Sequence, residues 1–178
     1  KLPFEIIVVN DGSSDGTRQK ADSSKKVRVI NQPVNSGYGR AIKTGIDASC
    51  HSCIGIVDAD GTYSIDQLPL LVEKMEEGFD MAVLARKNIL KMDKPVKRFF
   101  RRILLMFINL FISAKIEDPN SGFRLFRKEL AMTFYPFLCN TFSFTTSITI
   151  FAMGEGFFVS YVPAEYFDRK GKSKVRHF

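Results

Sequence analysis

Three aspartates stand where short apolar runs give way to glycine-containing turns. Asp58 and Asp60 end the stretch "IGIVDADG", separated only by Ala59, and Asp11 ends "IIVVNDGSSDG". Side chains alternate along a strand, so positions i and i+2 share a face if the extended backbone runs on to Asp60. Two carboxylates held together repel, and one has its pKa raised. A divalent cation removes that conflict. Mg²⁺ or Mn²⁺ takes hard oxygen ligands, typically one or two carboxylates plus substrate phosphates. A bare D-x-D is also common in solvated loops, and "NDGSSDG" is adequate as a polar turn with a helix cap. Three aspartates at two strand ends nevertheless suit one crevice, with glycine turns leaving room for a ligand.

The elements that must position these residues follow from pattern. The β-branched run at 6–9 bounded by turn residues predicts a buried parallel strand. Ser13 or Ser14 is placed to cap a helix starting near Asp15. "KVRVIN" at 26–31 predicts a second strand, and "NSGYGRAIKTGIDASC" a glycine turn and a helix over 39–48. "CIGIVDAD" is a third strand. A helix over 65–77 follows, with Leu68, Leu71, Val72 and Met75 at helical spacing and Ser64 as its cap. "DMAVLAR" is a fourth strand. Strands alternating with helices predict an α/β domain with a largely parallel sheet flanked by helices. Beyond Arg86, the pattern predicts a long helix, basic and then apolar, then a turn and short strand around "EDPNSGFRLF". A helix across "TFSFTTSITIFAMGEG" and a final strand in "FFVSYV" complete the chain. No repeat or low-complexity linker divides residues 1–178, which read as one domain. The first strand reads as the second of such a fold, so a strand and helix are expected to be missing before Lys1.

Composition narrows the function classes. The chain has 178 residues, 45% of them hydrophobic, with a net charge of +7. That length is sufficient for a sizeable core. The basic balance admits nucleic acid, anionic lipid or phosphate-rich small molecules, but no nucleic-acid-binding motif is present. Cys50-His51-Ser52-Cys53 is formally a C-x-x-C, yet it lacks a second Cys pair, and the other histidine, His177, is distant in sequence. Reduced thiols in a cytoplasmic protein are the expectation. The longest apolar run, "ILLMFINLFI", is ten residues, short of the roughly 18 a membrane span requires.

The segments "IIVVNDGSSDGT", "NSGYGRAIKTG", "VDADGTY" and "DPNSGFRLFRKE" occur in this order over almost the whole chain. Each is weak alone, but the ordered set resembles the family 2 glycosyltransferases of GT-A fold. Within that family it is most similar to the dolichol-phosphate mannose synthase-like, polyprenyl-phosphate subgroup. The resemblance implies a nucleotide-sugar donor, UDP- or GDP-linked, and Mg²⁺ or Mn²⁺ held by Asp58 and Asp60. It assigns Asp11 to the nucleobase or ribose, with Lys43 and Arg86 near the nucleotide and Asp60 at the reacting diphosphate.

For the acceptor, "DPNSGFR" resembles the loop that holds a lipid phosphate through Ser121 and Arg124, the arginine by a forked charge-assisted contact. The same residues also suit a plain β-turn. Asp118 corresponds to the general base of relatives that glycosylate hydroxyls, a role an ionised phosphate acceptor does not need. Arg98, Arg101 and Arg102 share one helix face, and Phe99, Ile103, Phe107 and Leu110 follow apolar spacing. Such a helix suits a membrane surface and places Arg101 near the acceptor; a core helix with a solvated basic end is the plainer reading. "FDRKGKSKV" resembles the family's closing basic element, with Arg169 and Lys172 folding over the diphosphate as a lid. Two features depart from the family pattern. Its opening strand is absent, and Thr145 and Thr146 stand where many relatives carry acidic residues. The expected reaction is inverting, metal-dependent sugar transfer to a polyprenyl or dolichyl phosphate at the cytoplasmic face of a membrane. Membrane anchoring or oligomer contacts outside this chain are part of that expectation. Transfer to a hydroxyl with Asp118 as base, and an inactive nucleotide-sugar-binding module, are the alternatives.

Overall fold

The computed structural model describes residues 3–14, 16–22, 26–87, 95–112 and 115–167. β1 (Ile7–Asp11) pairs in parallel with β2 (Arg28–Gln32), from Ile7 opposite Arg28 to Asp11 opposite Gln32, with α1 (Thr17–Asp22) between them. A second sheet runs in the order β3 (Cys53–Ile56), β5 (Arg124–Arg127), β4 (Met81–Arg86), β6 (Val159–Ala164). β5 is antiparallel to both its neighbours, while β4 and β6 are parallel, so three of the four strands share one direction. The helices are α2 (Tyr38–Ala48), α3 (Leu68–Glu76), α4 (Pro95–Phe111), α5 (Lys128–Thr133) and α6 (Phe144–Gly154), with single 3₁₀ turns at Ile65–Gln67 and Tyr135–Phe137.

β4 is the centre of the core. Met81 to Leu84 have no solvent exposure, as expected of an apolar run covered on both faces. Alternation sends Met81 and Val83 to a cluster with Ile46 of α2 and Phe144 and Ile148 of α6, and Ala82 and Leu84 to one with Leu71 of α3 and Phe123. α6 is rich in β-branched residues of modest helix propensity. Burial decides the outcome: Phe144, Ile148 and Ala152, four residues apart, are all fully buried.

Some expected boundaries shift. The Ser13 N–H donates to Asn10 Oδ1 (3.1 Å) and α1 spans Thr17–Asp22, while Asp15, near which the sequence predicts a helix start, lies outside the described residues. Ser64 donates its hydroxyl to Asp66 (3.0 Å) and does not cap the following turn. β3 stops at Ile56. The strand therefore does not carry Asp58 and Asp60, which lie in the loop and turn that follow it.

Candidate functional site

Asp11, at the end of β1, and Asp58, in the loop after β3, both hydrogen-bond to residues at the start of α2. Gly12 (φ +63°) lets the chain turn sharply after β1, and a side chain there would strike the backbone of Val34 and Asn35. Asp11 then reaches the segment before α2: Oδ1 accepts the Ser36 N–H (2.6 Å) and Oδ2 the Gly37 N–H (2.9 Å). These donors stand at and just before the N-cap of α2, where a carboxylate is favoured. Asp11 thus fastens the loop as well as standing at the strand end.

Tyr38, the first residue of α2, donates its hydroxyl to Asp58 Oδ1 (3.1 Å). Burial, and then the neighbouring Asp58 charge, raise the Tyr38 pKa well above the usual phenol range, so it remains a donor. The Asp58 carboxylate lies directly against Gly122. A Cβ at position 122 would overlap Oδ2 and Cγ. The D-x-D and the "DPNSG" segment are therefore in contact across sixty-odd residues of sequence. Asp60 accepts the N–H (3.1 Å) and the hydroxyl (2.6 Å) of Thr62 at Oδ1, which fixes the turn. Asp58 and Asp60 offer hard carboxylate oxygens, the donor set for Mg²⁺ or Mn²⁺, with substrate phosphates expected to complete the shell.

The acceptor-side residues are placed differently from expectation. Ser121 has no solvent exposure; its hydroxyl donates to Leu84 O (2.7 Å) and meets the Tyr63 hydroxyl (3.0 Å), which also accepts the Gly122 N–H (3.0 Å). Arg124 is likewise fully buried. Its five N–H groups go to Ser121 O (Nε 3.1 Å, Nη2 2.6 Å), Pro119 O (3.1 Å), Thr145 O (3.1 Å) and Thr149 Oγ1 (2.8 Å). With no donor left over, it cannot fork onto an acceptor phosphate in this conformation; it clamps the 119–121 turn to α6. Burial lowers its pKa, but polar partners surround the charge. Thr146, at the other predicted departure, bonds Asn120 of the same turn.

Asp118 is almost fully buried and grips Arg86 in a two-pronged ion pair, Nε to Oδ2 and Nη2 to Oδ1, both 2.7 Å. Oδ2 also accepts the Arg86 N–H (3.2 Å). Burial opposes the guanidinium charge, but the Asp118 hydrogen bonds and charge outweigh it and raise the Arg86 pKa. Both Asp118 oxygens, the expected base atoms, are thus engaged by Arg86 in this structure. Lys43 is also spent within the fold. Its ammonium donates to Leu138 O (2.6 Å) and Asn140 Oδ1 (2.9 Å) and stands over the Tyr135 ring. Arg169 and Lys172 lie outside the described residues, as does the Arg101 side chain.

Two hollows flank these groups. A cleft of about 390 Å³ opens between the end of β4 and α4, walled by Leu104, Leu105 and Pro163, by Arg86, Lys87 and Lys115, and by Glu117 and Asp118. A polar pocket at the ends of β1 and β2 includes Asn10, Gly12, Asn31 and Gln32. Gln32 Oε1 is buried without a hydrogen-bond partner among the described residues, an acceptor that a ligand N–H would satisfy. Sequence reading missed Tyr38, Gln32 and Tyr63. The one signal for Tyr38 was an aromatic residue between two glycines at a helix start.

The outer face of α4 is apolar. Phe99, Phe100, Met106, Phe107 and Leu110 are all more than half exposed. Ile103 and Arg98 are half-buried. No described helix is long and apolar enough to cross a membrane.

Comparison with known proteins bears on family and fold. A dolichyl-phosphate beta-glucosyltransferase of Trichomonas vaginalis is 30% identical over 190 residues, covering 99% of this chain and 56% of the relative. The Homo sapiens dolichyl-phosphate beta-glucosyltransferase is 35% identical, covering 72% of this chain and 44% of the relative. The chain thus spans about half the length of the curated relatives it matches. Among solved structures, glucosyl-3-phosphoglycerate synthase from Mycobacterium tuberculosis, in complex with Mn²⁺, uridine-diphosphate-glucose and phosphoglyceric acid, superposes with a TM-score of 0.73. It is 20% identical and covers 94% of this chain and 61% of that one. That likeness establishes the GT-A fold. The model of Glycosyl transferase family 2 matches residues 1–134, and the chain belongs to that family.

Proposed function

We propose that this chain carries the donor site of an inverting glycosyltransferase that moves a sugar from a UDP- or GDP-linked donor to a polyprenyl or dolichyl phosphate. The observation that carries the reading is the contact of Asp58 with Gly122, which makes the D-x-D and the acceptor-loop segment one structural unit. Asp58 and Asp60 would hold Mg²⁺ or Mn²⁺, which supplies charge stabilisation for the nucleoside-diphosphate leaving group. Tyr38 orients Asp58. Gln32 and Asn10 line the pocket where base and ribose would sit, and Asp11 follows Asn10 in the chain.

The phosphate acceptor is favoured over a hydroxyl by the Arg86–Asp118 pair. Asp118 has both oxygens engaged, and an ionised phosphate needs no base to act as nucleophile. The cleft beside that pair joins basic groups to the apolar wall of α4, which suits a phosphate with a hydrocarbon tail. The exposed apolar face of α4 would rest on the membrane holding that lipid, at the cytoplasmic face.

The test is calorimetric titration with UDP, GDP and their sugars, with and without Mn²⁺, followed by sugar transfer to a polyprenyl phosphate in vesicles. Metal-dependent binding of one nucleotide, lost in Asp58→Asn, is the expected result. No metal-dependent binding of any of them would sink the reading. Vesicle co-sedimentation that survives replacement of Phe99, Phe107 and Leu110 by serine would remove the membrane role of α4.

A further inference from the structure

The Cys50-His51 dipeptide gains in three dimensions the partner it lacks in sequence. Glu5 lies just before β1, and Cys50 and His51 lie between α2 and β3. One carboxylate oxygen, the Cys50 sulfur and one His51 ring nitrogen all lie within 4.8 Å of one another. Glu5 Oε1 accepts both the Cys50 N–H (2.7 Å) and the Cys50 thiol (3.0 Å), so the carboxylate is already turned to the sulfur. Among the described residues this is the only group of three such side chains that converges so closely.

We infer that Glu5, Cys50 and His51 form a transition-metal site of the Zn²⁺ class, separate from the carboxylates at Asp58 and Asp60. The donor chemistry selects the ion. One oxygen, one thiolate sulfur and one imidazole nitrogen suit Zn²⁺ and its borderline neighbours, whereas Mg²⁺ and Mn²⁺ prefer oxygen alone. Binding replaces the thiol proton with a metal–sulfur bond and releases that proton to solvent. Carboxylate and thiolate together carry two negative charges, so the loaded site is neutral beside Arg28, which donates to Ala48 O (2.9 Å). Three protein ligands leave a fourth position for water. The eleven-residue α2, about 16 Å long, runs from Tyr38, which bonds Asp58, to Ala48, two residues before Cys50. The metal would join the segment before β1 to the segment before β3, which belong to different sheets.

The test titrates Zn²⁺ into the chain and uses Co²⁺ as a spectroscopic stand-in. The expected results are one thiolate-to-Co²⁺ charge-transfer band and Zn²⁺ binding that raises the unfolding temperature. Cys50→Ser abolishes the band, and His51→Gln weakens Zn²⁺ binding at least tenfold. Cys53→Ser and the Asp58→Asn/Asp60→Asn double variant leave both readouts unchanged, which keeps this inference independent of the catalytic reading. A native chain without the band, a band that survives Cys50→Ser, or one that disappears in Cys53→Ser would overturn it.

Discussion

At the scale of the residue, Gly122 is where donor and acceptor chemistry meet. Its missing side chain is the space the Asp58 carboxylate occupies. Gly122→Ala should leave the chain folded but drive Asp58 from its place, with metal-dependent nucleotide affinity falling about tenfold or more, equivalent to about 1.4 kcal/mol. Calorimetry with Mn²⁺ and the nucleotide checks this, and unchanged affinity refutes it. The tyrosines make a second prediction. Burial, and then a neighbouring aspartate, push Tyr135 up to about 12 and raise Tyr38 further; burial also raises Tyr161 and Tyr63, against the lowering effect of Arg124 and Arg86 respectively. A raised folded pKa means that the native state keeps its phenol protons to higher pH than the unfolded chain. That stability is complete below the unfolded tyrosine value of about 10 and is lost as pH climbs through the folded values. Urea midpoints should be unaffected by these groups up to about pH 10 and fall above it. Tyr63→Phe should flatten part of the decline.

At the scale of the element, two buried arginines lock one turn. Arg86 ties the end of β4 to Asp118, and Arg124 ties β5 to the 119–121 turn and to α6. Asp118→Asn should cost about 3–5 kcal/mol, because it leaves the Arg86 charge buried and unmatched. The Arg86→Met/Asp118→Leu pair should cost much less than the sum of its single changes. Arg124→Met should cost at least about 4 kcal/mol, since three carbonyls and Thr149 lose donors at about 1–3 kcal/mol each; Arg124→Lys should recover only part of this. Denaturant unfolding reads all of these. These arginines also mark where sequence stopped being legible. Order and type of elements follow from local period and turn chemistry, and so β4, α2 and α6 stand where pattern places them. Whether an arginine beside Ser-Gly faces solvent, ligand or core depends on what lies over it. For Arg124 that cover is α6, twenty-odd residues later in the chain. Asp58 and Asp60 were legible as a pair through their composition, but their placement is due to a turn and to Gly122, not to strand alternation. Glu5 was invisible as a partner of Cys50 because forty-five residues separate them.

At the scale of the molecule, the core is unevenly shared. β4 has four residues without exposure and a partner on each side. β1 has one buried residue, Asn10, and belongs to a two-stranded ladder, a unit that is marginal without support. Amide hydrogen exchange should therefore rank the strands. Protection at 81–84 should approach that of global unfolding, and protection at 7–11 and 28–32 should be at least about 2 kcal/mol lower, opening as a separate unit. Equal protection in both ladders would refute the ranking.

The division of aspartates between these ladders then sets how ligand affinity is composed. Asp11 rides on the weaker ladder and Asp58 follows the first strand of the stronger sheet. A donor that touches both acts as a strap across the two, and its measured affinity is its intrinsic affinity scaled by the fraction of molecules with the ladder closed. Changes far from the pocket that loosen β1 against β2 would weaken donor binding without touching a single contact. Zn²⁺ bridging the segments before β1 and β3 would tighten it by the same route.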